Sequence, residues 1–233
     1  MKRSSFFRSL CAIAVTLLAS CGLAAGQEGF QAKVTVVSAS PKGPNNAGVV
    51  VWLTPLSGQA APLHPVRARL AQHNKHFEPH LVVVPVGSTV DFPNQDPFFH
   101  NVFSLYKGKR FDLGLYEAGT SRAVKFERPG VSFIFCNIHP EMSAVVLAMP
   151  TPYFAISNAA GEVSIPDVPA GRYRLETWYE RSSGEELAKL AQEVTVPGTA
   201  LVSLRVRQTV EGPVAHKNKF GKDYDTAPAP YPH

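Results

Sequence analysis

The stretch 131-VSFIFCNIHPEMS-143 runs five residues, four of them apolar, up to a cysteine. It then sets a histidine and a methionine at three-residue intervals around a proline. The apolar run reads as a strand that delivers Cys136 to a loop. His139 and Met142 then project from a tight turn shaped by Pro140. The other two cysteines, Cys11 and Cys21, both lie within the first two dozen residues. What one solitary thiol does at the end of a strand depends first on the compartment in which it is kept.

The N-terminus speaks to that. Lys2, Arg3 and Arg8 precede the apolar run LCAIAVTLLA, and small residues follow in SCGLAAG. This is the order of a bacterial export signal over residues 1–26, and the apolar run is too short to span a bilayer. Two processing readings fit. LASC, residues 18–21, resembles a lipobox that would leave Cys21 lipidated, so membrane attachment is expected only in that case. Ala24 and Gly26 suit ordinary cleavage before Gln27. Either way the expected location is the periplasm. The formal charge of +5 falls to +2 once Lys2, Arg3 and Arg8 are removed, and no clustered basic face is evident, so nucleic acid is not an expected partner.

Turn signals recur at short intervals (PKGPNN, VGS, PNQDP, YKGKR, EAGT, RPG, NAAG, PAG). Runs rich in β-branched and aromatic residues lie between them, among them AKVTVV, GVVVWL, HLVVVPV and YRLETWY. That pattern predicts an all-β chain built as sandwiches or barrels. One helix is expected over Glu185–Ala191. From about residue 209 to 233 the chain turns polar and proline-rich and is expected to be a flexible tail, with His216 and His233 doing nothing specific.

In an oxidising compartment a free thiol forms disulfides or is oxidised. With no second unblocked cysteine, Cys136 is either a small buried hydrophobe or a ligand. The ligand reading gains weight from His100, in NQDPFFHNVF, another turn leading into a strand. A thiolate, two neutral imidazoles and a weak thioether are the donor set of a blue-copper site, with two His and a Cys in a trigonal arrangement and a long axial Met. Met142 also reads as a core residue. His73, His76 and His80 in QHNKHFEPH are candidates for a second metal site, with His76 and His80 on one face of an extended strand and His73 on the other. Exposed strand histidines are the commoner outcome.

The segment FEPHLVVVPVGSTVDFPNQDPFFHNVFS together with PGVSFIFCNIHPEM resembles the cupredoxins, amicyanin and plastocyanin among them. The short Cys-x-x-His-Pro-x-Met loop is similar to that of amicyanin, and larger exported proteins with this arrangement often carry the label methylamine utilization protein. The resemblance covers roughly residues 77–149. It implies a Greek-key β-sandwich and one copper ion per chain held by His100, Cys136, His139 and Met142. It further implies that the Asn101 amide bonds to the ligand loop; a turn Asn satisfying its own backbone is the alternative.

After about Met149, the stretch TPYFAISNAAGEVSIPDVPAGRYRLETWYE resembles the small transthyretin-like modules called carboxypeptidase regulatory-like domains. Two strands precede this block in that family, and residues 31–55 fit them. The expected organisation is therefore a discontinuous regulatory-like sandwich over 27–57 and 150–208 with a cupredoxin domain over 63–149 inserted in it. Two domains in series is the alternative.

The resemblance implies a protein that passes single electrons between redox partner proteins. Copper binding or delivery without a redox role is the alternative, although the mature chain keeps only Met142 and Met149 and has no methionine-rich tract. A further reading makes copper incidental and gives the second sandwich a binding role. No two histidines are spaced His-x-His, so the cluster of multicopper oxidases lacks ligands and no enzyme is expected.

Overall fold

The computed structural model of the chain describes residues 29–38, 45–58, 61–105, 108–198, 200–210 and 216–224. The expected export signal, with Cys21, lies outside the described residues, as do 211–215 and 225–233 of the expected tail. No described helix is long and apolar enough to cross a membrane.

The described residues are nearly all β, with 49% of them in strands and 3% in helix. The first strands are β1 (Phe30–Val37), β2 (Val50–Pro55), β3 (Arg67–Arg69), β4 (Ala71–His73), β5 (His76–Glu78) and β6 (Leu81–Pro85). Then come β7 (Thr89–Pro93), β8 (His100–Ser104), β9 (Phe111–Tyr116), β10 (Ser121–Lys125), β11 (Gly130–Phe135) and β12 (Ser143–Met149). Last are β13 (Phe154–Ile156), β14 (Glu162–Ile165), β15 (Gly171–Trp178), α1 (Gly184–Ala188), β16 (Gln192–Val196) and β17 (Val202–Arg207). The helix is shorter than the sequence suggests. Ser183 caps it through Glu186 N–H, and only Leu187 is buried.

One sandwich packs the sheet β6-β12-β11-β8-β9 against β10-β7-β3. Its core holds Leu70, Phe77, Val90, Phe92, Val102, Phe126 and Ile134, together with Cys136 and Met142. The other packs β14-β1-β17 against β13-β2-β15-β16. Both of its sheets draw on the two ends of the chain. β1 lies between β14 and β17, running parallel to β17 with Ala32 opposite Val202. β2 lies between β13 and β15. In β1 the burial pattern alternates, with Phe30, Ala32, Val34 and Val36 inward, as a strand with one face on a core requires.

β12 has no such alternation, because both its faces are covered. Ala144, Val146 and Ala148 face the first core, while Leu147 and Met149 join Val50, flanked by Trp52, Phe154 and Trp178 of the second sandwich. Residues of one strand that point opposite ways thus bind the two sandwiches together. His80 adds a polar clamp at this junction. One ring nitrogen meets Glu180 at 2.6 Å and the other the Ser143 carbonyl at 3.1 Å.

The Glu180 carboxylate raises the pKa of His80 above its ordinary 6.5. The folded protein then holds the proton more tightly than the unfolded chain. The contribution is full below pH ~6.5 and fades as pH rises through the raised value. His80 is half exposed, so solvent screening limits the pair to about 0.2–1 kcal/mol. His80→Gln should flatten the dependence of melting temperature on pH between about 6 and 8, measured by calorimetry; an unchanged slope would contradict this clamp.

Candidate metal centre

Strand alternation places Cys136 on the inner face of the sheet, two residues beyond Ile134. β11 and β12 are antiparallel, with Phe135 opposite Ser143, so residues 136–142 form the connecting loop. Two backbone bonds close it, Cys136 N–H to the Met142 carbonyl at 3.3 Å and Met142 N–H to the His139 carbonyl at 3.1 Å. Met142 is therefore folded back beside Cys136, and both are fully buried. His100 comes from the start of β8. That strand pairs with β11 through Phe103 and Phe135, which brings the two ends into register.

The three donors converge. His100 Nδ1 lies 3.7 Å and His139 Nδ1 3.5 Å from Cys136 Sγ, and all three ligand atoms are within 4.8 Å of one another. A first-row metal ion with bonds of roughly 2.0–2.3 Å to nitrogen and sulfur separates trigonal donors by about 3.5–4 Å. The donor set fits such an ion. His100 is wholly enclosed, and His139 keeps 9% of its surface exposed.

Burial is the main influence on Cys136 and pushes the thiol pKa up, against backbone N–H groups of Asn101, Ile138 and His139 that favour the thiolate. Burial likewise lowers His100, against a neighbouring carboxylate that favours the cation. Neutral imidazole is the form that donates to a metal, and metal binding displaces the thiol proton.

The turn before His100 is built by Asn94 and Asp96. The Asn94 side chain accepts from Asp96 N–H at 3.0 Å and donates to the Phe98 carbonyl at 2.7 Å. Asp96 Oδ2 lies 2.7 Å from His100 Nε2. With Nε2–H donating to this carboxylate, the Nδ1 lone pair is left facing the thiol. Sequence reasoning passed over Asp96. Its signal was the spacing of four residues to His100 within a turn.

Three expectations are corrected. The amide Nδ2 of Asn101 does not reach the ligand loop but donates to Asp112 Oδ1 at 2.7 Å. Strand alternation turns Asn101 away from His100, and its backbone N–H is the group that meets the Cys136 sulfur. His73 and His76 do not stand on opposite faces of one strand. They face each other across the two-residue turn of the β4–β5 hairpin, with His73 Nδ1 3.5 Å from Glu78 and His80 committed to Glu180. Among the described residues, His100, Cys136 and His139 form the metal-capable group of His, Cys, Asp or Glu donors.

The third correction concerns residues 216–224 of the expected flexible tail, which lie against the outside of the ligand loop. The His216 ring stacks on Phe135 with centroids 3.9 Å apart, and its Nε2 lies 2.8 Å from the Pro140 carbonyl. Tyr224 OH donates to the Cys136 carbonyl at 2.8 Å. Lys219 N–H donates to Asn137 Oδ1, and Lys219 Nζ bonds Asp112. The physical cause is the outer face of β11 and β8, where Phe133, Phe135 and Phe103 form an aromatic row that needs cover.

Comparisons with solved structures return copper proteins. A purple cupredoxin from Nitrosopumilus maritimus is 26% identical over 35% of this chain and 99% of its own, with a TM-score of 0.32. A reduced amicyanin variant is 21% identical over 36% of this chain and 82% of its own, with a TM-score of 0.33. A copper-containing nitrite reductase from Thermus scotoductus SA-01 is 22% identical over 50% of this chain, TM-score 0.35, and the match spans only 28% of that enzyme. No protein-family profile and no curated protein matches the chain.

Proposed function

We propose that the protein is an exported type 1 copper protein that passes single electrons between redox partner proteins in the periplasm, and that it is not an enzyme. The observation that carries this is the buried convergence of His100, Cys136 and His139. One copper ion per chain is the cofactor this set suits; His100, Cys136 and His139 would hold it, and the Met142 thioether would be a weaker fourth donor. Copper supplies a one-electron couple. The chain's own residues would hold both oxidation states with little rearrangement, since two β-sheets and a doubly bonded loop fix His100, Cys136 and His139.

His139 is the donor nearest solvent, with its ring 5.7 Å from Phe98 and the exposed Phe99 and Ile138 nearby in sequence. That edge is the proposed route for electrons, which suits a transient partner with an apolar face. The alternative, a copper-delivery protein, calls for a site that releases Cu(I). Reducing the loaded protein beside a modest excess of Cu(I) chelator and then reoxidising separates the two. An electron carrier regains nearly all its visible band; handover of most of the copper overturns this reading.

Met142 is proposed to tune the potential rather than to hold the metal. A thioether replaced by hydrocarbon destabilises Cu(II) more than Cu(I), while an amide oxygen does the reverse. Met142→Leu should keep copper and raise the potential, and Met142→Gln should lower it. Voltammetry showing no change in either variant would leave Met142 a packing residue.

A further inference from the structure

We infer that Asp96 is a positioning residue for the metal centre, a buried carboxylate that fixes His100 and biases the site toward the oxidised metal. This inference rests on the copper reading above.

The carboxylate is 4% exposed, and both of its oxygens accept hydrogen bonds. Oδ1 accepts Asn74 N–H at 2.6 Å. Oδ2 accepts Lys75 N–H at 3.0 Å and the His100 Nε2 proton at 2.7 Å. Its own N–H is held by Asn94 Oδ1. A buried anion with so many donors keeps its charge.

The two backbone donors come from the turn of the β4–β5 hairpin, where Asn74 and Lys75 have φ of 52° and 58°. Asn tolerates this left-handed conformation, whereas Lys rarely adopts it. The geometry it provides is a pair of successive N–H groups aimed at one carboxylate, an anion-binding concavity of the kind such turns make. The hairpin that sequence reading offered as a second metal site thus serves the first one, from beyond His100.

The consequence for His100 is specific. A carboxylate accepting from Nε2–H selects the tautomer with a free Nδ1 lone pair, stops the ring from rotating, and raises the donor strength of Nδ1. The same negative charge favours the higher oxidation state of an ion on the far side of the ring. A merely structural Asp96 would matter equally to both oxidation states, because they share one folded protein.

Competition titrations with chelators on wild type and Asp96→Asn provide the test. Cu(II) affinity should fall about 10- to 100-fold, with Cu(I) affinity falling by less than about threefold because it gains least from the anion. The ratio of the two affinities should therefore move at least about threefold, each tenfold step being about 59 mV for one electron. Asp96→Ser serves if the Asn variant does not fold, and Asp96→Glu, which returns the charge, should restore most of the ratio. In the copper-free protein, nitrogen NMR should find His100 with its proton on Nε2 in wild type and as mixed tautomers in the Ser variant. Equal losses for both oxidation states, or none, overturn the role of Asp96. Failure of the wild type itself to bind copper overturns the copper reading instead.

Discussion

Cys136→Ser is expected to abolish the intense visible band of the Cu(II)-loaded protein while leaving the fold in place. The band arises from charge transfer between thiolate sulfur and copper, and Cys136 is the one thiol among the described residues. A serine hydroxyl is neither ionised nor soft at neutral pH. The fold survives because Cys136 contributes one small side chain to a core that also holds Phe92, Phe126, Leu70 and Ile134. The exchange of sulfur for oxygen in that core should cost about 1–2 kcal/mol. Absorption spectra and thermal melts of the two proteins check both halves. A blue Cys136→Ser protein would show that the metal sits elsewhere.

The second large effect concerns the split sandwich. A fragment of residues 151–208 should fail to fold, because it lacks an inner strand of each sheet. β1 and β2, with the adjoining Val49, contribute Phe30, Ala32, Val34, Val36, Val49, Val51 and Leu53 to the second core. At roughly 1.5–3 kcal/mol for each fully buried large side chain, their loss is as large as the ~5–15 kcal/mol by which a domain is stable. A fragment of residues 63–149 keeps all strands of the first sandwich and should fold and bind copper. It also exposes Leu81, Val83, Leu147 and Met149, so it should self-associate. A 151–208 fragment that melts cooperatively would contradict the split organisation.

The strands were legible because period-two burial and turn residues leave a local mark, as in β1 and in the Gly161 and Asp167 turns with their positive φ. The convergence of His100, Cys136 and His139 was legible because metal chemistry demands particular atoms at particular spacings, and Cys136 and His139 lie on one short loop. What escaped was long-range. Asp96 reads as an ordinary turn aspartate until the β4–β5 hairpin closes over it. The resemblance places the Asn101 amide on the loop, but its direction depends on which face of β8 it occupies. The tail escaped because its composition is that of disordered chain. The need for it lay instead in Phe133 and Phe135, which put aromatic rings on the opposite face of β11 from Ile134 and Cys136. A strand apolar on both faces requires a cover on each.

The central claim is a single type 1 copper site at His100, Cys136 and His139. Titration of the metal-free protein with Cu(II), followed by visible absorption and electron paramagnetic resonance, tests it most directly. The account predicts an intense band that rises linearly and stops at one equivalent, with the narrow copper hyperfine splitting of a thiolate-bound centre. A weak band with the wide splitting of nitrogen and oxygen ligands, or no saturation at one equivalent, would contradict it.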